Sequence, residues 1–219
     1  TLDKPVRPKQ HKIILNCAAL PGKWEYEPPI WNTGGLIKWF VENLQGEDIT
    51  YDELLQGAAS VPAGSDGIIA LPYFSGAGSP RWDPGLKGCF YGLGLHHNRL
   101  HMLRSLMESI AYEIKFNIES MRSSGIMLKK VILSGGASKN RPLCQIISDV
   151  LQENVEVFVE AEASSWGVFL LVREAIVNAG GQSPVSLVTP EVISFSPDPG
   201  HKDIYDQLYM KYIELGNHM

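Results

Sequence analysis

Strand and helix patterns alternate along residues 130–178, and this alternation limits the possible folds more than any other feature of the chain. Short apolar runs at 130–134 and 155–159 are typical of buried strands, while 142–152 and 165–178 have helical periodicity. A strand–helix–strand–helix order predicts two parallel strands with helices packed on the sheet. We therefore expect an α/β fold in this half of the chain.

The preceding residues and the C-terminal tail predict further elements. An apolar run and an aromatic run flank Pro21-Gly22, which is the pattern of a β-hairpin. Segment 75–87 is dense in glycine, proline and serine, and this composition is compatible with two interpretations, a mobile surface loop and a functional loop. Three tyrosines on one face of the last helix are expected to pack on the core. The predicted strands are 13–19, 23–30, 68–73 and 89–95, and the predicted helices are 33–44, 51–60, 98–124 and 204–215.

Composition excludes several classes of protein. The chain has 219 residues and a formal net charge of −5, which argues against nucleic-acid binding because phosphate contacts need clustered Lys and Arg. No apolar run approaches the ~20 residues that span a bilayer, so we expect no membrane partner. Cys17, Cys89 and Cys144 form no CxxC pair. Neither a zinc site nor a disulfide framework is indicated, and a cytoplasmic location is expected.

A turn with paired glycines joins the strand at 130–134 to the next helix. Residues 131–142 read Val-Ile-Leu-Ser-Gly-Gly-Ala-Ser-Lys-Asn-Arg-Pro. Gly135 and Gly136 allow a sharp turn and close approach of a ligand, and the helix start supplies N–H groups and a positive dipole end. A ligand-binding turn and a purely structural turn both fit this spacing. Gly34-Gly35 opens an earlier helix and leaves the same two alternatives.

Further motifs occur in a fixed order along the chain. They are Ile-Ala-Leu-Pro-Tyr-Phe-Ser-Gly at 69–76, Ser-Pro-Arg-Trp-Asp-Pro at 79–84, Lys-Gly-Cys-Phe-Tyr-Gly-Leu at 87–93, the set His101, Arg104, Ser105 and Glu108, the turn 134–137 with Asn140, and Glu-Ala-Ser-Ser-Trp-Gly at 162–167. Together these motifs resemble the C-terminal domain of the FGGY carbohydrate kinases. The glycine turn with Asn140 resembles the adenosine motif of that family.

The resemblance implies a fold and an architecture. It implies an α/β, ribonuclease-H-like domain similar to those of actin and hexokinase, with a mixed sheet and helices on both faces. Residues 1–219 would form a single C-terminal domain that lacks the first strands of its sheet. In this family the C-terminal domain binds most of the ATP.

The resemblance also implies the nucleotide-binding residues, by their position in the motifs. They would be Gly34, Lys38, Gly135, Gly136 and Asn140. Gly136 and Asn140 would contact the adenosine, and Gly34 would lie by the phosphates. Lys38 departs from the pattern, since some relatives carry glutamine at that position.

Parts of the catalytic machinery of such kinases are expected outside this sequence. In the family, the Mg²⁺-ligating Asp lies in a DxGT motif of the N-terminal domain, and the general-base Asp lies at the end of that domain. No DxGT occurs here, and Leu2-Asp3-Lys4-Pro5 resembles the family just after a Gly-Thr-Ser phosphate loop. We therefore expect no catalytic residue and no metal ligand in this chain, which alone would be inactive, and we expect an N-terminal lobe to supply them.

Two functions stay open at this stage. In the first, the parent enzyme transfers the γ-phosphate of ATP, with Mg²⁺, to a hydroxyl of a pentulose, polyol or sugar acid. The stretch Asn-Thr-Gly-Gly at 32–35 favours a xylulose- or gluconate-type member. In the second, the chain is a nucleotide-binding or interaction module without turnover. The expected partners are ATP or ADP, a small sugar and the N-terminal lobe, and a homodimer is left open.

His97 and His101 are the other residues whose spacing draws attention. They lie four residues apart, which places two imidazoles on one helix face, but the sequence places no third ligand beside them.

Overall fold

A computed structural model describes residues 2–5, 13–44, 49–159, 163–181 and 191–219 of the chain. Within these ranges the strands are β1 (Ile14–Cys17), β2 (Trp24–Glu27), β3 (Ile69–Leu71), β4 (Cys89–Tyr91), β5 (Val131–Leu133), β6 (Val155–Phe158) and β7 (Val192–Phe195). The helices are α1 (Gly34–Leu44), α2 (Tyr51–Ser60), α3 (Arg99–Ser123), α4 (Arg141–Leu151), α5 (Ala163–Asn178) and α6 (Lys202–Asn217). Of the motif at 162–167, Glu162 lies outside the described residues, and α5 begins at the residue after it.

The predicted hairpin is confirmed. Strands β1 and β2 pair antiparallel, with Ile14 opposite Glu27 and Cys17 opposite Trp24. Gly22 in the connecting turn has a φ of +71°, a conformation that glycine adopts without steric cost. Six residues, 28–33, join the hairpin to α1.

The predicted helices α1 and α2 are also confirmed. Helix α1 begins immediately after Thr33, whose carbonyl accepts the N–H of Leu36. Helix α2 begins after Thr50, which forms a capping box with Glu53. A capping box satisfies two N–H groups at the helix start and so fixes where the helix begins. The buried face of α1 consists of Leu36, Ile37, Phe40 and Val41.

The first half of the glycine- and proline-rich segment 75–87 is mostly internal. Residues 76–80 are buried, and Ala77 exchanges two backbone hydrogen bonds with Asp83. The side-chain amide of Asn32 donates to the carbonyl of Gly76 at 3.0 Å. For 76–80 a mobile surface loop is therefore wrong, because polar groups from other segments hold these residues inside the fold, whereas 83–85 and 87 are exposed.

The strand predicted over 89–95 is shorter, ending at Tyr91. Gly92 follows with a φ of +86°, which takes the chain out of extended geometry. A Cβ there would lie 2.8 Å from the carbonyl oxygen of Gly67, so this turn needs glycine. Helix α3 then starts after Asn98, whose side chain accepts the N–H groups of Leu100 and His101.

Helix α3 is the centre of the core, where it packs against α1, α2, α4 and β3. Its buried apolar residues include Leu103, Leu106 and Met107. The tyrosines of α6 pack on it as predicted, around the ring of Tyr112. The ring centroids of Tyr205, Tyr209 and Tyr212 lie 6.3, 6.0 and 5.2 Å from that of Tyr112.

The predicted strand–helix alternation after residue 130 is confirmed, with β5 and β6 parallel. Strand β7 pairs antiparallel with β6, so the three-stranded sheet is mixed. The sequence analysis missed β7, a short edge strand of half-exposed residues. Helix α4 packs on β6 and β7, and it places its N-terminus beside the end of β5.

Two strand edges and one helix face have no partner within the described residues. In the described residues β5 is at the end of the order β5-β6-β7, and β1 pairs only with β2. Helix α5 has no buried residue, although it is rich in apolar side chains. The exposed apolar residues of α5 are Val168, Val172, Ile176 and Val177. No helix in the described ranges is long and apolar enough to cross a membrane.

Candidate nucleotide-binding site

A cavity of about 500 Å³ lies between α1, the start of α2 and the glycine turn before α4. Four of the five residues predicted to bind nucleotide line it, although they come from segments a hundred residues apart. Gly135 does not line the cavity but sets the turn beside it. The lining residues are Gly34, Ile37, Lys38, Val41, Glu42, Tyr51, Gly136, Ala137, Asn140 and Leu143.

The glycine turn keeps the floor of the cavity open. Gly135 has a φ of +75°, and a short 3₁₀ turn, Gly136–Lys139, follows it. A Cβ at Gly136 would meet no atom within 4 Å, so a ligand has access to this stretch of backbone. A large side chain at Gly136 would fill that space.

The two polar atoms of the Asn140 side-chain amide differ in their hydrogen bonding. Its Oδ1 accepts the N–H of Leu143 at 3.0 Å and caps α4. Its Nδ2 is buried and makes no hydrogen bond within the described residues. Because Oδ1 is engaged, the free end of this amide is a donor. A buried donor without a partner costs about 1–3 kcal/mol, which a ligand with an acceptor atom would offset.

The start of α1 gives one end of the cavity a positive electrostatic potential. The first N–H groups of a helix lack partners within it, and its dipole favours a nearby anion. Gly34 is the first residue of α1 and has open space at its Cβ position, so a phosphate can approach the backbone there. Lys38 adds a cation one turn later, with its Nζ 3.6 Å from Glu42 Oε1 on an exposed part of the rim.

Tyr51 and the apolar wall of the cavity were not predicted from the sequence. Ile37 and Val41 belong to the buried face of α1, and the end of that face is open to the cavity. Tyr51 is the first residue of α2 and is about half exposed. Partial burial and the neighbouring Asp52 raise the pKa of its hydroxyl, which therefore stays protonated near neutral pH. No sequence signal marks it, since its position depends on how α2 packs beside α1.

The motif residues Arg104 and Glu108 lie elsewhere, in a buried network. Arg104 Nε donates to Glu108 Oε1 at 2.9 Å, and Arg104 Nη2 donates to the hydroxyl of Tyr205 at 2.8 Å. Glu108 also accepts the N–H of Gly64 and the hydroxyl of Ser65. These contacts join α3, α6 and the loop before β3, so the motif holds the fold together and does not face the cavity.

His97 and His101 use their ring nitrogens within the fold. His97 Nδ1 accepts the N–H of Gly94 at 2.8 Å, and His101 Nε2 lies 3.3 Å from a carboxylate oxygen of Asp66. No group of three or more His, Cys, Asp or Glu side chains in the described ranges could hold a metal ion.

Sequence comparison decides the family. The profile of the "FGGY family of carbohydrate kinases, C-terminal domain" matches residues 1–173, well over half of the chain. The chain belongs to this family. The resemblance inferred from the motifs is thus confirmed.

Relatives of this FGGY domain include two bacterial glycerol kinases. The glycerol kinase of Haemophilus influenzae is 32% identical over 174 residues, which is 78% of this chain and 34% of that protein. The glycerol kinase of Oceanobacillus iheyensis is 34% identical over 179 residues, 80% of this chain and 35% of that protein. The chain spans about a third of the length of these relatives.

Solved structures agree on the fold. A xylulose kinase from Rhodospirillum rubrum superposes with a TM-score of 0.80 at 29% identity, covering 93% of this chain and 41% of that one. A gluconate kinase from Lactobacillus acidophilus gives a TM-score of 0.72 at 26% identity, covering 87% of this chain and 39% of that one. The predicted α/β, actin- and hexokinase-like fold is confirmed. The neighbours differ in the sugar their names give, so they leave the substrate open.

Proposed function

We propose that this FGGY domain is the ATP-binding part of a kinase that transfers the γ-phosphate of ATP to a hydroxyl of a pentulose, polyol or sugar acid. The observation that carries the proposal is the convergence of Gly34, Gly136 and Asn140 on one cavity. The buried, unpartnered Nδ2 of Asn140 calls for a ligand with an acceptor, and a purine ring nitrogen has that property. A purely structural turn would not need this donor.

The cavity suits the different parts of a nucleotide. The base would lie on the open backbone at Gly136, between the apolar wall of α1 and the ring of Tyr51. Stacking on an aromatic side chain contributes about 1–3 kcal/mol per base. The phosphates would extend toward Gly34 at the start of α1, where the helix dipole opposes their charge. Lys38 is near enough to that end to add a cation.

We infer that an N-terminal lobe outside the given sequence supplies the general base and the Mg²⁺ ligands, with residues 1–219 as one C-terminal domain. Phosphoryl transfer depends on positioning and on neutralising phosphate charge, and Mg²⁺ supplies that charge when it is bound. The inference is supported by the length of the relatives, three times that of the match.

The inference of an N-terminal lobe is also supported by three exposed surfaces, which are the outer edges of β1 and β5 and the uncovered face of α5. Unpaired strand edges and apolar patches in a folded protein usually have a neighbour. In the described residues each of these sheets ends at a strand that pairs on one side only, so an added strand would extend it. We propose that the first strands of this domain and the N-terminal lobe cover these surfaces in the complete enzyme. A cytoplasmic location and a homodimer stay predictions.

Measurements on the chain test what the kinase shares with the second candidate, a nucleotide-binding module without activity of its own, and turnover by the full-length protein separates the two. ATP consumption is measured for the chain with a panel of pentuloses, polyols and sugar acids, and ADP binding is measured by calorimetry. We expect ADP binding without turnover by the chain alone. Turnover by these residues would contradict the placement of the base and the metal ligands elsewhere. No ADP binding at millimolar concentration would contradict both candidates.

A further inference from the structure

Glu42 lines the nucleotide cavity, and the proposed function gives it no role. Among the described residues that line this cavity, it is the only one with a carboxylate. Its side chain is 58% exposed, so its oxygens are accessible to a ligand. A carboxylate only accepts hydrogen bonds, and close to a phosphate it would repel the ligand. Glu42 can therefore contribute to binding only where the ligand presents a hydrogen-bond donor.

The helical spacing of α1 places Glu42 at the opposite end of the cavity from the phosphates. Gly34, Lys38 and Glu42 are four residues apart and all three line the cavity, so they share one face of the helix. At about 1.5 Å of rise per residue, the Cα atom of Glu42 lies roughly 12 Å along the helix from that of Gly34. In the proposed function the phosphates bind at Gly34. The base, which is the other end of the nucleotide, then lies toward Glu42.

The ion pair between Lys38 and Glu42 leaves both side chains available to a ligand. Lys38 Nζ and Glu42 Oε1 lie 3.6 Å apart, and both side chains are more than half exposed. Exposed ion pairs of this kind contribute little to stability, so a ligand can separate them at low cost. A nucleotide bound along α1 would direct Lys38 to its phosphates and Glu42 to its base.

The hydrogen-bonding groups on this cavity match adenine better than guanine. On the edge that carries N7, adenine presents the acceptor N7 beside its N6 amine, which is a donor, whereas guanine presents two acceptors, N7 and O6. The buried Nδ2 of Asn140 is a donor and the Glu42 carboxylate is an acceptor, which together complement the adenine edge. Guanine would leave the carboxylate facing the acceptor O6.

We propose that Glu42 selects adenine by accepting a hydrogen bond from its N6 amine, while Asn140 donates to a ring nitrogen of the same base. The inference rests on the proposed function and adds to it a residue that determines which nucleotide the kinase uses. An N–H bond to a carboxylate is stronger than one between neutral groups, which suits it to this selection. Glu42 touches no reacting atom in this arrangement, so it is a specificity residue and not a catalytic one.

The test compares ADP with inosine diphosphate by calorimetric titration of the whole 219-residue chain. Inosine diphosphate carries O6 in place of the N6 amine, so it lacks the donor that Glu42 would accept. We expect ADP to bind about tenfold more tightly, and Glu42→Gln to reduce this ratio to about threefold or less, because a glutamine amide can also donate to O6. The ratio is the readout because removing a negative charge from the cavity strengthens the binding of both diphosphates alike.

A matched control and a second variant separate this effect from loss of charge and from misfolding. Glu214 is exposed on α6, which does not line the cavity, so Glu214→Gln should leave the affinity ratio as it is in the parent chain. Glu42→Ala removes the acceptor altogether and should reduce the ratio as Glu42→Gln does. A third probe, 2′-deoxy-ADP, tests the ribose, and its affinity relative to ADP should be the same in the parent chain and in Glu42→Gln.

The outcomes distinguish this inference from the proposed function. Equal binding of ADP and inosine diphosphate by the parent chain would overturn the inference alone, as would a ratio that both Glu42 variants leave unchanged. A Glu42→Gln effect seen only in the comparison with 2′-deoxy-ADP would assign Glu42 to the ribose and overturn it too. Failure of ADP to bind would overturn the proposed function.

Discussion

The substitution Asn140→Asp separates the two roles of Asn140, which are to cap α4 and to offer a hydrogen-bond donor to the nucleotide. Asp keeps an oxygen that caps α4 through the Leu143 N–H, and Asn and Asp are about equally good N-caps. The substitution replaces the buried donor Nδ2 with an acceptor. An adenosine ring nitrogen that receives the Nδ2 hydrogen would then face an oxygen lone pair.

The structure sets the size of each effect. Loss of a hydrogen bond that leaves a buried polar atom unsatisfied costs about 1–3 kcal/mol, or about 5- to 150-fold in ADP affinity. The cap is kept, so the free energy of unfolding should change by less than about 1 kcal/mol. Asn140→Ala, in contrast, should lose the ADP affinity and also about 1 kcal/mol of stability, because the cap is removed.

Calorimetric titration of ADP and urea unfolding give the two readouts. The matched control is Asn98→Asp, since Asn98 caps α3 in the same way but is remote from the cavity. We expect this control to bind ADP like the parent chain. If Asn140→Asp keeps its ADP affinity within about threefold while its stability is unchanged, Asn140 is only a helix cap and the adenosine assignment is refuted.

The remaining predictions concern the cavity, the core and pH. Gly136→Val should weaken ADP binding at least about tenfold and leave the melting temperature nearly unchanged, because the Cβ position is open; unchanged affinity would favour a structural turn. Tyr51→Ala should weaken ADP binding about tenfold and Tyr51→Phe by much less, while Ala at the equally exposed Tyr91 should have no effect in the same titration. Glu108→Ala should cost about 3–5 kcal/mol in urea unfolding, because it leaves a buried guanidinium unpaired; a loss below about 1 kcal/mol would contradict the network. Burial raises the pKa of Glu113 above 4.5, so the folded chain holds this proton more tightly, and the free energy of unfolding falls as the pH rises past that value. Glu113→Gln should flatten this decline when urea unfolding is measured from pH 4.5 to about 7. An unchanged slope would show that Glu113 does not cause the decline.

Most helices and strands could be predicted from local sequence patterns. The capped starts of α2 and α3 and the apolar stripe of α3 depend on neighbouring residues, so the sequence determines them closely. Strand β7 was missed because its residues are half exposed and its pairing with β6 depends on tertiary packing. The interior position of 76–80 was missed because it depends on remote side chains such as Asn32 and Asn117, which bond to its carbonyls.

The candidate site was predictable where a backbone motif marks it. Gly136 and Asn140 belong to one strand–turn–helix unit, and Gly34 opens a helix in the same manner, so each has a local signature. Tyr51 has none, because only the packing of α2 beside α1 brings it to the cavity. A cavity of about 420 Å³ lined by Trp31, Trp39 and Phe74 likewise combines 31–39 with 74–75, segments whose contact no local pattern records.

Nuclear magnetic resonance on the ¹⁵N-labelled chain tests the central claim most directly, that ADP occupies the cavity between α1 and the glycine turn. The backbone amides of Gly34, Gly136 and Ala137 and the side-chain amide of Asn140 should shift together and saturate at one ADP per chain. Amides of α6, which does not line the cavity, should stay in place. An absence of shifts at millimolar ADP, or saturable shifts confined to other segments, would contradict the claim.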